Sequence, residues 1–107
     1  MWIFLKDSFL SVVAHRDRPD DLLVRARKKG DVRRAFPEAE EQHTPHADYP
    51  YRAIIPRVRV AEVMAAQAHA IDYDNFKNQV EDDARHGAYL DCWAIMARFG
   101  RTSSRKP

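Results

Sequence analysis

The spacing of apolar residues changes at Pro56, and that change most constrains how this 107-residue chain can fold. Before Pro56, short apolar segments alternate with polar turns, a pattern that is typical of β-strands. After Pro56, apolar residues recur at intervals of three and four positions, which indicates helices. Strands in the first half of a chain and helices in the second half favour an α+β domain.

Several strands are predicted before Pro56. Residues 2–5 and 9–14 are rich in aromatic and β-branched residues and flank a short polar segment, which predicts a β-hairpin. Residues 22–27 alternate between the two faces of a strand, so we expect one buried side and one exposed side. A short edge strand is expected within 38–43, and a clearer strand over 51–55.

Three helices are predicted, one short and two longer. The short helix covers residues 29–36 and ends at Pro37, which cannot continue a helix. The longer helices cover 57–71 and 83–99, with Gly100 as the C-terminal stop of the second. The apolar stripe of the last helix is expected to pack in the core, with the cysteine as a small buried residue: Tyr89, Cys92, Trp93, Met96 and Phe99.

We therefore predict one α+β domain over residues 1–100. It contains an antiparallel sheet of four to five strands, with the short helix and the two longer C-terminal helices packed on one face. The exposed face is expected to carry Leu23, Arg25, Arg27 and Arg52. Residues 101–107 are polar and basic and are predicted to form a disordered tail.

Composition argues against several classes of protein. Eighteen basic and sixteen acidic residues leave a net charge of only +2, and three glycines are too few for a glycine-rich phosphate loop. A single cysteine cannot form an internal disulfide. Lys6 and Asp7 interrupt the apolar N-terminal run, so we expect no signal peptide, no membrane contact and a cytoplasmic location.

A basic segment covers residues 25–34, in which six of ten residues are Arg or Lys. Such a segment could bind phosphates, with Tyr49, Tyr51 and Arg52 as neighbouring stacking surfaces. Acidic residues flank the segment on both sides, however. A solvated surface that pairs with its own carboxylates is therefore the favoured interpretation, and a binding patch is the alternative.

Other polar clusters give weaker indications of chemistry. His43, His46 and Asp48 have a spacing seen in zinc sites, but they lie in a proline-containing loop without a fixed third ligand. The acidic string at 72–77 does not match a calcium loop and favours a helix-capping connector. His15 is the histidine that we would test first as a catalytic group. We assign no catalytic residue, no metal ligand and no cofactor.

Two strings carry a resemblance to known sequences: Asp-Tyr-Pro-Tyr-Arg-Ala at 48–53 and Ile-Asp-Tyr-Asp-Asn-Phe-Lys at 71–77. Together with the Met1-Trp2 hairpin, the segment 24–27, His86, Tyr89 and Trp93, they resemble a family of small bacterial proteins without known activity. The resemblance covers most of residues 1–99. It implies no activity, but it implies that the polar members of these strings are shared features.

These residues form either one binding surface or one internal polar network that joins Arg27 or Arg52 to Asp72. Our first hypothesis is a small non-enzymatic interaction protein that binds a macromolecular partner, expected to be a protein. Self-association is left open. The candidate binding residues are Arg25, Arg27, Tyr49, Tyr51, Arg52, Asp72, Tyr73, Asn75 and Lys77.

Three alternatives belong to different classes of protein. A nucleic-acid-binding module would use the same basic patch. A hydrolase acting on a phosphate or nucleotide would use His15, Asp72 and Asp74, which would have to converge in one pocket. A phage or defence-related inhibitor would bind and block a host complex.

Overall fold

A computed structural model describes the backbone of residues 1–104 and the side chains of residues 1–102. It shows an α+β fold with a five-stranded antiparallel sheet, as the sequence predicts. The strands are β1 (Trp2–Leu5), β2 (Ser8–Ala14), β3 (Asp21–Ala26), β4 (Gln42–His43) and β5 (Tyr51–Pro56). The helices are α1 (Asp31–Ala35), α2 (Arg57–His69) and α3 (Asp83–Ser104), and a 3₁₀ turn covers Phe76–Gln79.

The chain divides into two compact units, which are described separately. The first unit, Met1–Asp72, contains the whole sheet together with α1 and α2. The second unit begins at Tyr73 and contains the 3₁₀ turn and α3. The prediction of one domain over residues 1–100 stays a prediction.

The strand order in the sheet is β1-β2-β3-β5-β4, with every neighbouring pair antiparallel. Because successive side chains in a strand point to opposite faces, this register assigns each residue to one of two faces. The first face packs against α1 and α2 to form the core. Its buried members and the helix residues that cover them are Leu10, Val12, Val24, Ala26, Val32, Ala35, Phe36, Ala53, Ile55, Val60 and Val63.

The start of α1 depends on a backbone conformation that favours glycine. Gly30 has φ of 91°, in the left-handed region, and is the residue that precedes the helix. No side chain caps the helix, although Asp31 in its first turn is acidic. Asp31 is instead buried and accepts a hydrogen bond from the backbone N–H of Phe9. Phe36, at the end of α1, is fully buried in the core.

The second unit departs from the sequence prediction in two ways. Helix α3 continues through Gly100 to Ser104, so the predicted stop at Gly100 is wrong, and residues 101–104 of the predicted tail are helical. Residues 105–107 lie outside the described part of the chain. Cys92 is exposed and not part of a core, because the apolar stripe to which it belongs is largely uncovered. Only Tyr89 of that stripe is buried.

Candidate binding surface

The face of the sheet opposite the core carries the predicted arginines. The register places Ser11 of β2, Arg25 of β3 and Arg52 of β5 side by side across three strands. Leu23 and Ile54 form the neighbouring row on this face, two residues before Arg25 in β3 and two residues after Arg52 in β5. We call this surface the arginine face and define it by its residues: Trp2, Phe4, Phe9, Ser11, Val13, Leu23, Arg25, Arg52 and Ile54.

Tyr49 lies beside the arginine face and is contacted by two guanidinium groups. The Cζ atoms of Arg25 and Arg27 lie 4.6 and 4.4 Å from the centre of its ring, distances typical of cation–π contacts. Tyr49 is buried, and a hydrogen bond with Arg27 lowers the pKa of its hydroxyl below the ordinary value of 10.0, against the opposing effect of desolvation. Asp48 completes the cluster through an ion pair of 3.0 Å with Arg27.

The two inner arginines of this face use only part of their hydrogen-bonding capacity. Arg25 donates from Nη2 to the hydroxyl of Ser11 at 2.7 Å, and Arg52 donates from Nη2 to the carbonyl of Tyr49 at 3.2 Å. The Nε atoms of both arginines are buried and have no acceptor among the described residues. Unpaired buried donors are uncommon and usually have a specific reason, because each carries a desolvation cost.

An aromatic cluster occupies the β1 end of the arginine face. The ring of Phe9 lies 4.7 Å from that of Phe4 and 6.4 Å from that of Trp2. Trp2 remains 68% exposed and Phe4 is also exposed. Large aromatic side chains left in solvent beside arginines are typical of surfaces that bind a partner.

A shallow depression of about 420 Å³ lies at the opposite end of the arginine face. Leu23 and Ile54 form its apolar part, and His15, Arg16, Gln42 and Arg52 contribute polar groups. The Nδ1 atom of His15 accepts a hydrogen bond from the backbone N–H of Asp17 at 3.1 Å. His15, the histidine that we would test first as a catalytic group, therefore lines this depression together with Arg16 and Arg52.

The structure does not bring all the predicted site residues together. Tyr51 is paired with Ala26 in the register, points to the core face and stacks on His43 with ring centres 4.7 Å apart. It is therefore not part of the arginine face. Arg27 forms its ion pair with Asp48, and Arg52 donates to the carbonyl of Tyr49. Among the described residues, neither arginine is bonded to Asp72, so the alternative of an internal network that joins Arg27 or Arg52 to Asp72 has no support.

The remaining candidates belong to the second unit, except for Asp72, which ends the first. Lys77 lies with its Nζ atom 4.9 Å from the centre of the Trp93 ring and also donates to Asn75 at 3.5 Å. Tyr73 contacts Phe76, which in turn stacks on Tyr89 of α3. The string at 72–77 thus supports the packing of the 3₁₀ turn on α3.

The basic segment at 25–34 is partly neutralised by its own chain. Arg34 forms an ion pair of 2.7 Å with the buried carboxylate of Asp31, and Arg27 is paired with Asp48. Glu41 accepts hydrogen bonds from the backbone N–H of Gly30. Lys28, Lys29 and Arg33 are exposed. Among residues 1–104 no group of three or more His, Cys, Asp or Glu side chains is placed to hold a metal ion.

Sequence reasoning missed Trp2, Phe4 and Ser11 as members of the candidate surface. The signal that could have identified them is the alternation within the hairpin, because Trp2 and Phe4 share a face with Phe9 and Ser11. That face could be connected to Arg25 only when the pairing of β2 with β3 was known.

Comparison of the chain with family models, with curated proteins and with solved structures finds no match. Within the described residues, no helix is both long enough and apolar enough to cross a membrane.

Proposed function

We propose that this chain is a small non-enzymatic interaction protein that binds a protein partner through the arginine face. The observation that carries the proposal is the combination, on one face of the sheet, of exposed Trp2 and Ile54 with the half-buried guanidinium groups of Arg25 and Arg52. Tryptophan, tyrosine and arginine dominate the binding energy of protein interfaces. Ser11 and Tyr49 hold the guanidinium groups in place, which reduces the entropy lost on binding.

The chemistry of this face also indicates the chemistry of the partner. Asp48 is the acidic residue beside the cluster, and it is already paired with Arg27. Arg25 and Arg52 are half-buried, and the accessible part of each charged guanidinium group calls for carboxylate or carbonyl acceptors, while Trp2 and Ile54 call for apolar contact. We therefore expect a partner surface with acidic side chains around an apolar centre.

Affinity capture with matched variants tests the proposal. The face variant is Trp2→Ala combined with Arg52→Met. The control variant is Val58→Ala combined with Arg33→Met, which removes an exposed apolar side chain of α2 and an exposed arginine, both outside the arginine face. A partner identified by capture is then titrated in purified form. The face variant should weaken its binding by tenfold or more, as expected for the loss of interface hot spots, whereas the control should bind as the wild type does. Equal binding by the face variant would refute the proposal.

A nucleic-acid-binding function is the second candidate. It is favoured by the aromatic cluster of Trp2, Phe4 and Phe9 on the same sheet face as the arginines, because single-stranded nucleic acids stack on such surfaces. Titration with labelled single-stranded DNA and RNA at two salt concentrations separates the two functions. Binding that weakens steeply with salt and is lost in the face variant would favour nucleic acid over a protein partner.

A further inference from the structure

Helix α3 leaves most of its large apolar side chains uncovered. Leu90, Trp93, Ile95, Met96 and Phe99 are all exposed, and Trp93, Met96 and Phe99 are 56, 61 and 60% exposed. Leu90, Trp93, Met96 and Phe99 recur at intervals of three, and Ile95 lies four positions before Phe99, so together they form one broad stripe along the helix. We call this surface the α3 stripe and define it by these five residues.

The area of the α3 stripe is large for a surface that remains in solvent. Aromatic side chains contribute about 150–250 Å² each when fully covered. With the exposed fractions above, the stripe presents roughly 500 Å² of apolar surface, which is at the upper end of what monomeric proteins leave uncovered. Two such surfaces in contact would bury about 1,000 Å², the lower limit for a specific protein interface.

The charges of α3 are separated along its length. The two residues before α3, Glu81 and Asp82, and the first nine residues of the helix together contain four acidic residues and one arginine, a net charge of −3. Residues 92–104 contain Arg98, Arg101 and no acidic residue. Asp83 and Arg101 are 18 positions apart, about 27 Å along a helix, which is beyond the screening length in physiological salt. The two ends of one helix therefore cannot neutralise each other.

We propose that α3 packs against the α3 of a second copy of this chain in an antiparallel, two-fold symmetric dimer. In that arrangement the acidic end of each helix lies beside the basic end of the other, and the α3 stripe of each copy covers that of its partner. A parallel arrangement would place acidic ends together and basic ends together. The proposal concerns the second unit and is independent of the function assigned to the arginine face.

The mass of the full chain in solution is the first test. Sedimentation analysis should give about 25 kDa, twice the mass of the 12.5 kDa chain. Met96→Glu combined with Phe99→Glu should give a monomer, because it places charges in the buried centre of the interface. Val58→Glu is the matched control, since Val58 is an exposed apolar residue of α2, and this variant should remain a dimer. Far-UV circular dichroism should show that both variants keep the wild-type helix content.

Charge reversal tests the antiparallel orientation. The acidic variant is Arg98→Glu with Arg101→Glu, and the basic variant is Glu81→Lys with Asp83→Lys; all four positions are exposed. Each variant alone should dimerise at least about tenfold more weakly than the wild type, because like charges then meet at both ends. An equimolar mixture of the two should restore dimerisation, because each end again meets its opposite.

Three results would overturn the proposal. A wild-type chain that remains monomeric at its highest soluble concentration would exclude the dimer. Charge variants that each dimerise as the wild type does, with a mixture tighter than the wild type, would indicate a parallel dimer. Variants that are weakened but not restored by mixing would show that the charges act only on the dipole of their own helix.

Discussion

The carboxylate of Asp31 accepts a hydrogen bond of 3.0 Å from the backbone N–H of Phe9, 22 positions earlier in the chain. Asp31 is 1% exposed, and its other oxygen forms an ion pair of 2.7 Å with Arg34. One buried side chain thus ties the first turn of α1 to the start of β2. Its role is to connect two elements of the fold, and not to cap the helix in which it lies.

Asp31→Ala should lower the free energy of unfolding by about 2–4 kcal/mol, because it leaves a backbone donor without its acceptor and removes the partner of Arg34. Asp31→Asn should cost less, since its side-chain oxygen can still accept from Phe9. Urea unfolding followed by circular dichroism measures both changes. Asp20→Ala, in an exposed turn, should stay within about 0.5 kcal/mol of the wild type. An Asp31→Ala variant as stable as that control would contradict this role.

Gly30 and Gly87 should respond in opposite directions to substitution by alanine. Gly30 has φ of 91°, and an added Cβ would lie 3.3 Å from the Nη1 atom of Arg34, so Gly30→Ala should destabilise the protein by about 1–2 kcal/mol. Gly87 lies in α3 with open space around it, so Gly87→Ala should stabilise the helix by about 0.5–1 kcal/mol. Thermal unfolding of the two variants beside the wild type measures both effects. A Gly30→Ala variant as stable as the wild type would contradict the conformational role of Gly30, and a destabilised Gly87→Ala variant would contradict the expectation for Gly87.

The sequence predicts the sheet well because an alternating pattern reports directly on strands with one buried side. The hairpin, β3 and β5 were identifiable for this reason, and so was the shared face of Arg25 and Arg52. The position of Tyr51 followed from the same rule, since it is one residue away from Arg52 and must face the core. A binding surface that includes both Tyr51 and Arg52 is inconsistent with this alternation.

The environment of α3 was not predictable in the same way. A helical period identifies an apolar stripe but not the surface that covers it. The prediction that Cys92 and Trp93 pack in a core is therefore wrong, because both side chains are exposed. Tyr49 is a loop residue whose burial was not predictable from the sequence. It lies in a proline-containing loop, and its burial against Arg25 and Arg27 depends on the closure of that loop on the sheet.

Tyr49 should titrate at lower pH than an unperturbed tyrosine, because hydrogen bonding to Arg27 lowers the pKa of its hydroxyl. The folded-state pKa of Tyr49 is below the unfolded value of 10.0. At pH values between these two pKa values, the unfolded chain therefore binds more protons than the folded chain. Stability from this group therefore increases as pH rises through that interval and is absent below the folded-state pKa. The absorbance of tyrosinate during an alkaline titration measures the pKa of Tyr49. Denaturant unfolding at several pH values measures how the free energy of unfolding changes.

Two variants identify the group responsible for this titration. Tyr49→Phe should remove the early phase of the absorbance change together with the associated gain in stability. Arg27→Ala should keep the phase but move it toward higher pH, since the first cause of the lowered pKa is lost. An early phase that persists in Tyr49→Phe would assign the titration to another tyrosine.

Arg52→Met should separate binding from stability on the arginine face. Arg52 makes one hydrogen bond, to the carbonyl of Tyr49, and its buried Nε has no acceptor within the described residues. Methionine should retain most of the apolar contact with neighbours such as Leu23 and Ile54. It also removes the buried Nε–H of Arg52, and an unpaired buried donor of this kind costs about 1–3 kcal/mol. The free energy of unfolding should therefore stay within about 1 kcal/mol of the wild type or increase, while partner binding falls. Arg33→Met is the control for loss of a surface charge and should change neither quantity. Marked destabilisation by Arg52→Met would show instead that the guanidinium group is retained to hold Tyr49 in place.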